Sequence, residues 1–173
     1  MLDKYDIVFV GGGLAGLLGA RRAAEGGARV ALVDHSVLDE QGALGGFAAF
    51  SGAKFSLFPA GSGLSPIVGG EEKLKSLYSD TLDYLATASS KIRSAVESSG
   101  GERSVSTHLN LREYESIVLS PLEIQELLQA LTQGLAHVSL IRSSVQKIQV
   151  EGLRSIHVEM SGPARASRGR SSA

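Results

Sequence analysis

The 173-residue sequence contains no cysteine. Disulfide scaffolding, thiolate metal sites and a redox-active cysteine pair are therefore excluded, and any redox chemistry must come from a bound cofactor. An excess of charge is missing too: 17 basic against 18 acidic residues leave a net charge of −1, so no basic surplus points to nucleic acid. Histidine is sparse, and His35, His108, His137 and His157 show no metal-ligand spacing, so no metal site is expected. There is no membrane-spanning apolar run. The stretch from Ile7 to Ala20 is too short and holds five glycines. Its flanks, Asp3 and Asp6 before and Arg21-Arg22 after, have the wrong polarity for a secretory signal. A hydrophobic fraction of 43% then describes an ordinary soluble chain, expected in the cytoplasm, whose length suits one domain with a respectable core.

Glycine, by contrast, is abundant and placed with purpose. Asp6-Ile7-Val8-Phe9-Val10-Gly11-Gly12-Gly13-Leu14-Ala15-Gly16 contains G-x-G-x-x-G at Gly11, Gly13 and Gly16, and seventeen residues separate Gly16 from Asp34. The continuous apolar run Ile7–Val10 reads as a parallel strand buried on both faces. Gly11 permits a sharp turn, Gly13 lets a pyrophosphate approach the backbone, and Gly16 brings the following helix against the strand. That helix is expected from about Leu14 to Glu25, ended by Gly26-Gly27. Gly16, Ala20, Ala23 and Gly27 recur at helical spacing as a face of small residues for close packing on a sheet. The N–H groups at the helix start suit an anion. A second strand, Arg29–Val33, delivers Asp34 at its carboxyl end, where a carboxylate accepts hydrogen bonds from ribose hydroxyls. Asp34 would repel a 2′-phosphate, and His35-Ser36 bring no arginine to receive one, which disfavours NADP. The alternative is a Gly-rich turn that binds nothing, with Asp34 a solvated strand end.

From Ser36 to Gly70 the chain is rich in Gly, Ser and Phe and holds four of the five phenylalanines. It reads as a long loop wrapped over something flat and apolar, or as a Phe-anchored satellite core. A single amphipathic helix is expected over 71–96, with Leu74, Leu77/Tyr78, Thr81, Leu85, Ala88, Ile92 and Val96 on one stripe. Residues 97–107 read as a loop. Leu109 and Leu111 alternate with polar residues, and Ser116–Leu119 is a short strand. Ser120-Pro121-Leu122-Glu123 is a capping box with proline at the first helical position, and the helix it opens should bury Leu127, Leu128, Leu131 and Leu135 before ending near Gly134. A third parallel strand, His137–Ile141, follows this crossover helix. Val145–Val150 and Ile156–Met160 read as a hairpin. Residues 161–173 lack any large apolar side chain and read as a disordered tail. Three of the 17 basic residues lie there, leaving 14 against 18 acids in the body, a compositional break.

The opening motif, with Ala23, Gly26 or Gly27, Val30 and Asp34, resembles the amino-terminal motif of FAD-dependent oxidoreductases with a glutathione-reductase-type FAD/NAD(P)-binding domain. Asp34 stands where that family usually has glutamate. The family's Gly-Gly loop beside the pyrophosphate and ring system matches Gly45-Gly46, and Ser51-Gly52 falls where a small-residue pair often follows. The run from Val138 to Val158 is similar to the family's strand and three-stranded β-meander, in which the valine matching Val145 touches adenine through its backbone. The resemblance implies an α/β fold, a Rossmann-like parallel sheet with crossover helices and a meander packed against it. It implies an FAD-binding domain over 1–160 and a tail over 161–173. It further implies FAD as cofactor, held by Gly11, Gly12, Gly13, Leu14, Ala15, Gly16, Asp34, His35, Gly45, Gly46, Ser51, Gly52 and Val145. The family's late Gly-Asp motif does not occur here. The expectation is therefore a truncated FAD-binding part, holding FAD mainly by its adenosine half, with no catalytic residue to carry over and a partner chain as a means of completing the site. Three readings stay open: a flavin-dependent oxidoreductase acting on an organic substrate, a non-catalytic FAD/ADP-binding module, and an NAD-binding dehydrogenase domain. The last is disfavoured because the Phe/Gly-rich segment stands where a plain NAD domain has another short βα unit.

Overall fold

A computed structural model of the protein describes residues 3–35, 44–49, 54–98, 116–151 and 155–161. The expectations for Ser51-Gly52, for Leu109 and Leu111, for the loop at 97–107 beyond Ser98 and for the tail from 162 lie outside the described residues, while Glu97 and Ser98, expected in that loop, are helical. The chain divides into two compact units, one made of 1–47 with 131–173 and the other of 48–130.

The first unit is built on three strands, β1 (Ile7–Val10), β2 (Val30–Asp34) and β5 (Val138–Arg142), with helix α1 (Leu14–Glu25) between the first two. They form a parallel sheet in the order β1-β2-β5, with Ile7 level with Val30 and Val30 level with Val138. Two expected strand boundaries, Arg29 and His137, shift by one residue, and the Arg29 carbonyl accepts from the amides of Asp6 and Ile7 just before the ladder begins. This is a mixed α/β fold with a parallel sheet and helices, as expected.

Burial divides the two apolar strands that the sequence makes look alike. β2 lies between two neighbours, and Val30, Ala31, Leu32 and Val33 are all buried. β1 pairs only with β2 among the described residues, and Ile7, Val8 and Val10 are 41%, 36% and 53% exposed. The expected burial of β1 on both faces is thus corrected: among the described residues it is an edge strand, and residue type alone does not reveal sheet order.

Helix α1 ends as expected, with Gly27 in the left-handed region at φ 87°. Its packing face differs from the expected one. Leu17 and Ala20 are fully buried, but Ala23 is only half-buried and Gly27 lies exposed beyond the helix end. The second close approach is made at Gly19, where an added Cβ would collide with the ring of Phe9.

The last described elements are β6 (Val145–Glu151) and β7 (Ser155–Met160), which form an antiparallel hairpin. The three-stranded meander is therefore, among the described residues, two-stranded. Cross-strand register sets Ile148 opposite Val158 and Val150 opposite Ile156. Alternation puts these four on one face, yet Ile148, Val150 and Ile156 are 56%, 72% and 66% exposed, so the expected packing of that face is not seen.

The second unit corrects the picture of a long loop. Within 54–70 lie β3 (Lys54–Ser56), a 3₁₀ turn at Ser62–Leu64 and the short helix α2 (Ser65–Val68). β3 pairs antiparallel with β4 (Ser116–Val118), Phe55 standing level with Ile117. Phe58 meets Tyr78 edge-on at 6.1 Å, and the Tyr78 hydroxyl donates to the carbonyl of Ala60, so this stretch carries its own small core.

The single helix expected over 71–96 is two, α3 (Glu71–Ala86) and α4 (Ser90–Ser98). The break has a local cause. Thr87 Oγ1 donates back to the Tyr84 carbonyl at 2.7 Å, and Ser89 Oγ accepts the Ile92 N–H at 3.3 Å. Serine and threonine at such positions compete with the backbone ladder and start a new helix. The apolar stripe survives in Leu74, Leu85 and Ile92, all buried, while Leu77 and Thr81 are exposed.

Helix α5 (Pro121–Gln133) begins at the expected capping box. Glu123 accepts the Ser120 N–H at 2.6 Å, and the Ser120 hydroxyl accepts the Glu123 N–H at 3.3 Å. Leu127, Leu128, Leu131 and Leu135 are buried as the spacing requires. The Ser120 backbone N–H, its hydroxyl and the nearby Lys91 ammonium hold Glu123 below its ordinary value of 4.5. A carboxylate depressed on folding stabilises the fold above its unfolded pKa and loses that contribution as pH falls through the folded one. The α5 cap is thus expected to weaken below pH ~4.5, the ordinary value. Ser120→Ala should cost about 1 kcal/mol at neutral pH, read as a lowered denaturation midpoint. Glu123→Gln should flatten the acid limb of stability; an unchanged acid limb would contradict this role. Among the described residues no helix is long and apolar enough to cross a membrane.

Candidate dinucleotide site

The turn between β1 and α1 is set by backbone demands that only glycine meets. Gly11 sits at φ 102°, in the region L side chains avoid, and its N–H donates to the Val33 carbonyl at 2.8 Å. At Gly16 an added Cβ would run into the carbonyl oxygen of Gly11, so the helix can lie this close to the turn only without a side chain there. Gly13 differs from both. Its backbone is ordinary extended (φ −67°, ψ 175°), and among the described residues nothing lies within 4 Å of where a Cβ would stand. Neither strain nor packing among the described residues accounts for a glycine at this position, the N-cap of α1.

That start suits an anion. Gly13 is the N-cap, no side-chain group among the described residues caps the helix, and its first turn carries no acidic residue. Leu14 is half-buried and Ala15 exposed at this end. The unfilled N–H groups and the helix dipole together favour a phosphate.

Asp34 ends β2 beside this loop. Its Oδ2 accepts the Gly12 N–H at 2.5 Å, and its side chain is only 11% exposed. The sequence marked Asp34 as a ribose acceptor but did not reveal this hydrogen bond, which ties the acid to the glycine turn across 22 residues. Gly12 is correspondingly crowded: an added Cβ would stand 2.6 Å from Leu44 Cδ2 and 3.2 Å from Asp34 Cβ. His35, by contrast, is 82% exposed, with Nδ1 3.6 Å from Asp34 Oδ1.

The second glycine motif comes to the first. Gly45 N–H donates to the Gly12 carbonyl at 2.7 Å, and Gly45 forms a parallel bridge with Gly13. Gly45 (φ 134°) and Gly46 (φ 55°) both require glycine, and a Cβ on Gly46 would stand 3.3 Å from Gly13 Cα. Val145 opens β6 just after the connection whose Ser143 N–H donates to the Asp34 carbonyl at 3.1 Å. The structure thus gathers Gly11–Gly16, Asp34, His35 and Gly45-Gly46 at the carboxyl ends of the parallel strands, where ligands bind open α/β sheets. Ser51 and Gly52 lie outside the described residues.

Removing the Asp34 carboxylate should loosen the turn as well as the ligand. Asp34→Ala leaves the Gly12 N–H without its charged partner, a loss of about 1–3 kcal/mol. A fall in thermal stability is expected even without nucleotide, and Asp34→Asn should recover part of it. Equal stability of Asp34→Ala and the parent would contradict the bracing role.

A parallel α/β sheet with this glycine turn, open helix start and strand-end acid is the arrangement with which α/β proteins bind dinucleotides. Residues 6–82 match the family model described as an FAD binding domain. The match supports an FAD-binding domain of the oxidoreductase type in the amino-terminal part of the chain, with FAD as its cofactor. No curated protein matches the chain. The residues fit that cofactor. The open space at Gly13 and the start of α1 would take the pyrophosphate, and Asp34 would accept from the adenosine ribose.

Proposed function

We propose that this chain is the FAD-holding part of an oxidoreductase that exchanges hydride or electrons between FAD and an organic substrate. FAD, when bound, supplies the two-electron chemistry that a chain without cysteine does not. The residues contribute binding and orientation. Gly13, with the N–H groups of Leu14 and Ala15, receives the pyrophosphate, and Asp34 accepts from the adenosine ribose. Gly45-Gly46 backs the glycine turn, and Val145 stands at the adenine end. The observation that carries this reading is the open space at Gly13 above an uncapped helix, since no demand of the fold explains it.

A partner chain completing the flavin side of the site belongs to the same proposal. Its support is β1, an all-apolar strand with 36–53% of Ile7, Val8 and Val10 exposed and, among the described residues, a single neighbour. The cytoplasm is proposed as its compartment from the acidic flank of the first apolar run.

The visible absorption spectrum of the purified protein tests the reading, before and after reconstitution with FAD. Flavin bands that stay with the protein through gel filtration are expected, and these should bleach under anaerobic conditions with a suitable organic donor. Retention of a nicotinamide dinucleotide in place of flavin would overturn it.

A further inference from the structure

Asp34 has a neighbour that the sequence does not place beside it. His35 and Ser36, which follow it in the chain, bring no arginine. In the folded sheet β2 pairs with β5, and the register sets Arg142, the last residue of β5, level with Asp34, the last residue of β2. The backbone fastens the two strand ends together, since the Ser143 N–H donates to the Asp34 carbonyl at 3.1 Å.

The direction of Arg142 follows from its neighbours. Leu32 Cδ1 lies 3.5 Å from where a Cβ on Gly16 would stand, so Leu32 faces α1. Alternation puts Asp34 on that same face, in keeping with its bond to the Gly12 N–H. Residues level with one another in neighbouring strands share a face, with the strands about 4.8 Å apart. Arg142 is therefore on the α1 side of the sheet beside Asp34, and it is exposed there. It is the one arginine or lysine at the carboxyl end of a described strand of this sheet. Arg29 lies at the opposite end, its guanidinium over the Tyr5 ring, and Arg21 and Arg22 lie against Glu25.

We infer that Arg142 lets the adenosine end of the site accept a phosphate on the ribose 2′ oxygen, an inference that rests on the dinucleotide site proposed above. The ligands of the site then include 2′-phosphorylated adenine nucleotides as well as the ADP half of FAD. A carboxylate by itself repels such a phosphate. A guanidinium one strand away offsets that charge and grips phosphate oxygens through two parallel N–H donors. Its five donors suffice for a carboxylate and a phosphate together.

ADP and ADP carrying a 2′-phosphate are the discriminating probes, because they differ only in the group that Arg142 would meet. Both are titrated at one ionic strength into the full chain and into Arg142→Ala and Arg142→Lys. The parent should bind the two probes within about tenfold of each other. Arg142→Ala should bind the 2′-phosphorylated probe about 100-fold more weakly, as for two lost hydrogen bonds to a charged group. It should keep ADP within about threefold of the parent, which also shows that the variant is folded. Arg142→Lys, a point charge without the planar fork, should fall between the two. A parent that binds ADP but takes the 2′-phosphorylated probe more than about tenfold more weakly would overturn the inference while leaving the site reading intact. Equal losses of both probes in Arg142→Ala would also overturn it. If the parent binds neither probe, the reading of the site itself fails and this inference with it.

Discussion

Replacing Gly13 by valine is expected to leave the protein folded and to remove its hold on both FAD and ADP. The backbone at Gly13 is extended, a conformation open to valine, and none of the described residues lies within 4 Å of the new Cβ. Thermal stability should therefore stay within about 0.5 kcal/mol of the parent, as for substitutions that disturb no packing. The branched side chain would fill the space where the pyrophosphate approaches the α1 amides. Losing two hydrogen bonds to a charged group at about 1.5–3 kcal/mol each corresponds to a fall in affinity of more than about 100-fold. Calorimetric titration with FAD and ADP checks the affinity, and a melting curve checks the fold. A variant that melts normally and binds as the parent does would show that no phosphate lies at Gly13.

Gly16→Ala should do the reverse, damaging the fold first. Its single methyl would lie inside the carbonyl oxygen of Gly11, a backbone atom held by the Gly11–Val33 hydrogen bond. Neither partner is a flexible side chain that can swing away, so α1 must lift from the sheet. A loss of about 3 kcal/mol or more is expected, at the upper end of overpacking costs, lowering the melting temperature by about 6–12 °C for a chain of this size. The contrast is the point: three residues apart on one motif, a methyl or isopropyl group is tolerated by the fold at Gly13 and rejected at Gly16. A Gly16→Ala protein with the parent's melting temperature would contradict the packing described for α1.

Those features of the site that follow from local chain geometry were legible in the sequence. The glycine turn, the helix from Leu14 to Glu25 and the capping box at Ser120 each depend on a few successive residues, and all three stand where the spacing puts them. The approach of Gly45-Gly46 to the first motif was readable only through resemblance, because nothing in their own composition says which turn they will meet. Other features depend on contacts distant in sequence. That Val10 is exposed while Val33 is buried follows from sheet order, and the two strands read alike. The Asp34–Gly12 bond spans 22 residues, and the pairing of Phe55 with Ile117 joins segments no periodicity relates. The break between α3 and α4 was readable in principle. Thr87, Ser89 and Ser90 cluster at the break, but the apolar stripe continues across it through Leu85 and Ile92. Hydrophobic periodicity masked the polar stop signal. Gly19 shows the same limit: its reason is the ring of Phe9, which only the folded sheet brings to it.

The central claim is that the β1–α1 turn is the pyrophosphate seat of an FAD site, and equilibrium titration of the parent chain with FAD, with ADP as competitor, tests it most directly. The account predicts saturable binding of one FAD per chain, displaced competitively by ADP and lost in Gly13→Val at unchanged melting temperature. Absence of saturable FAD binding by the folded chain, or FAD binding that ADP does not displace and Gly13→Val does not weaken, would contradict it.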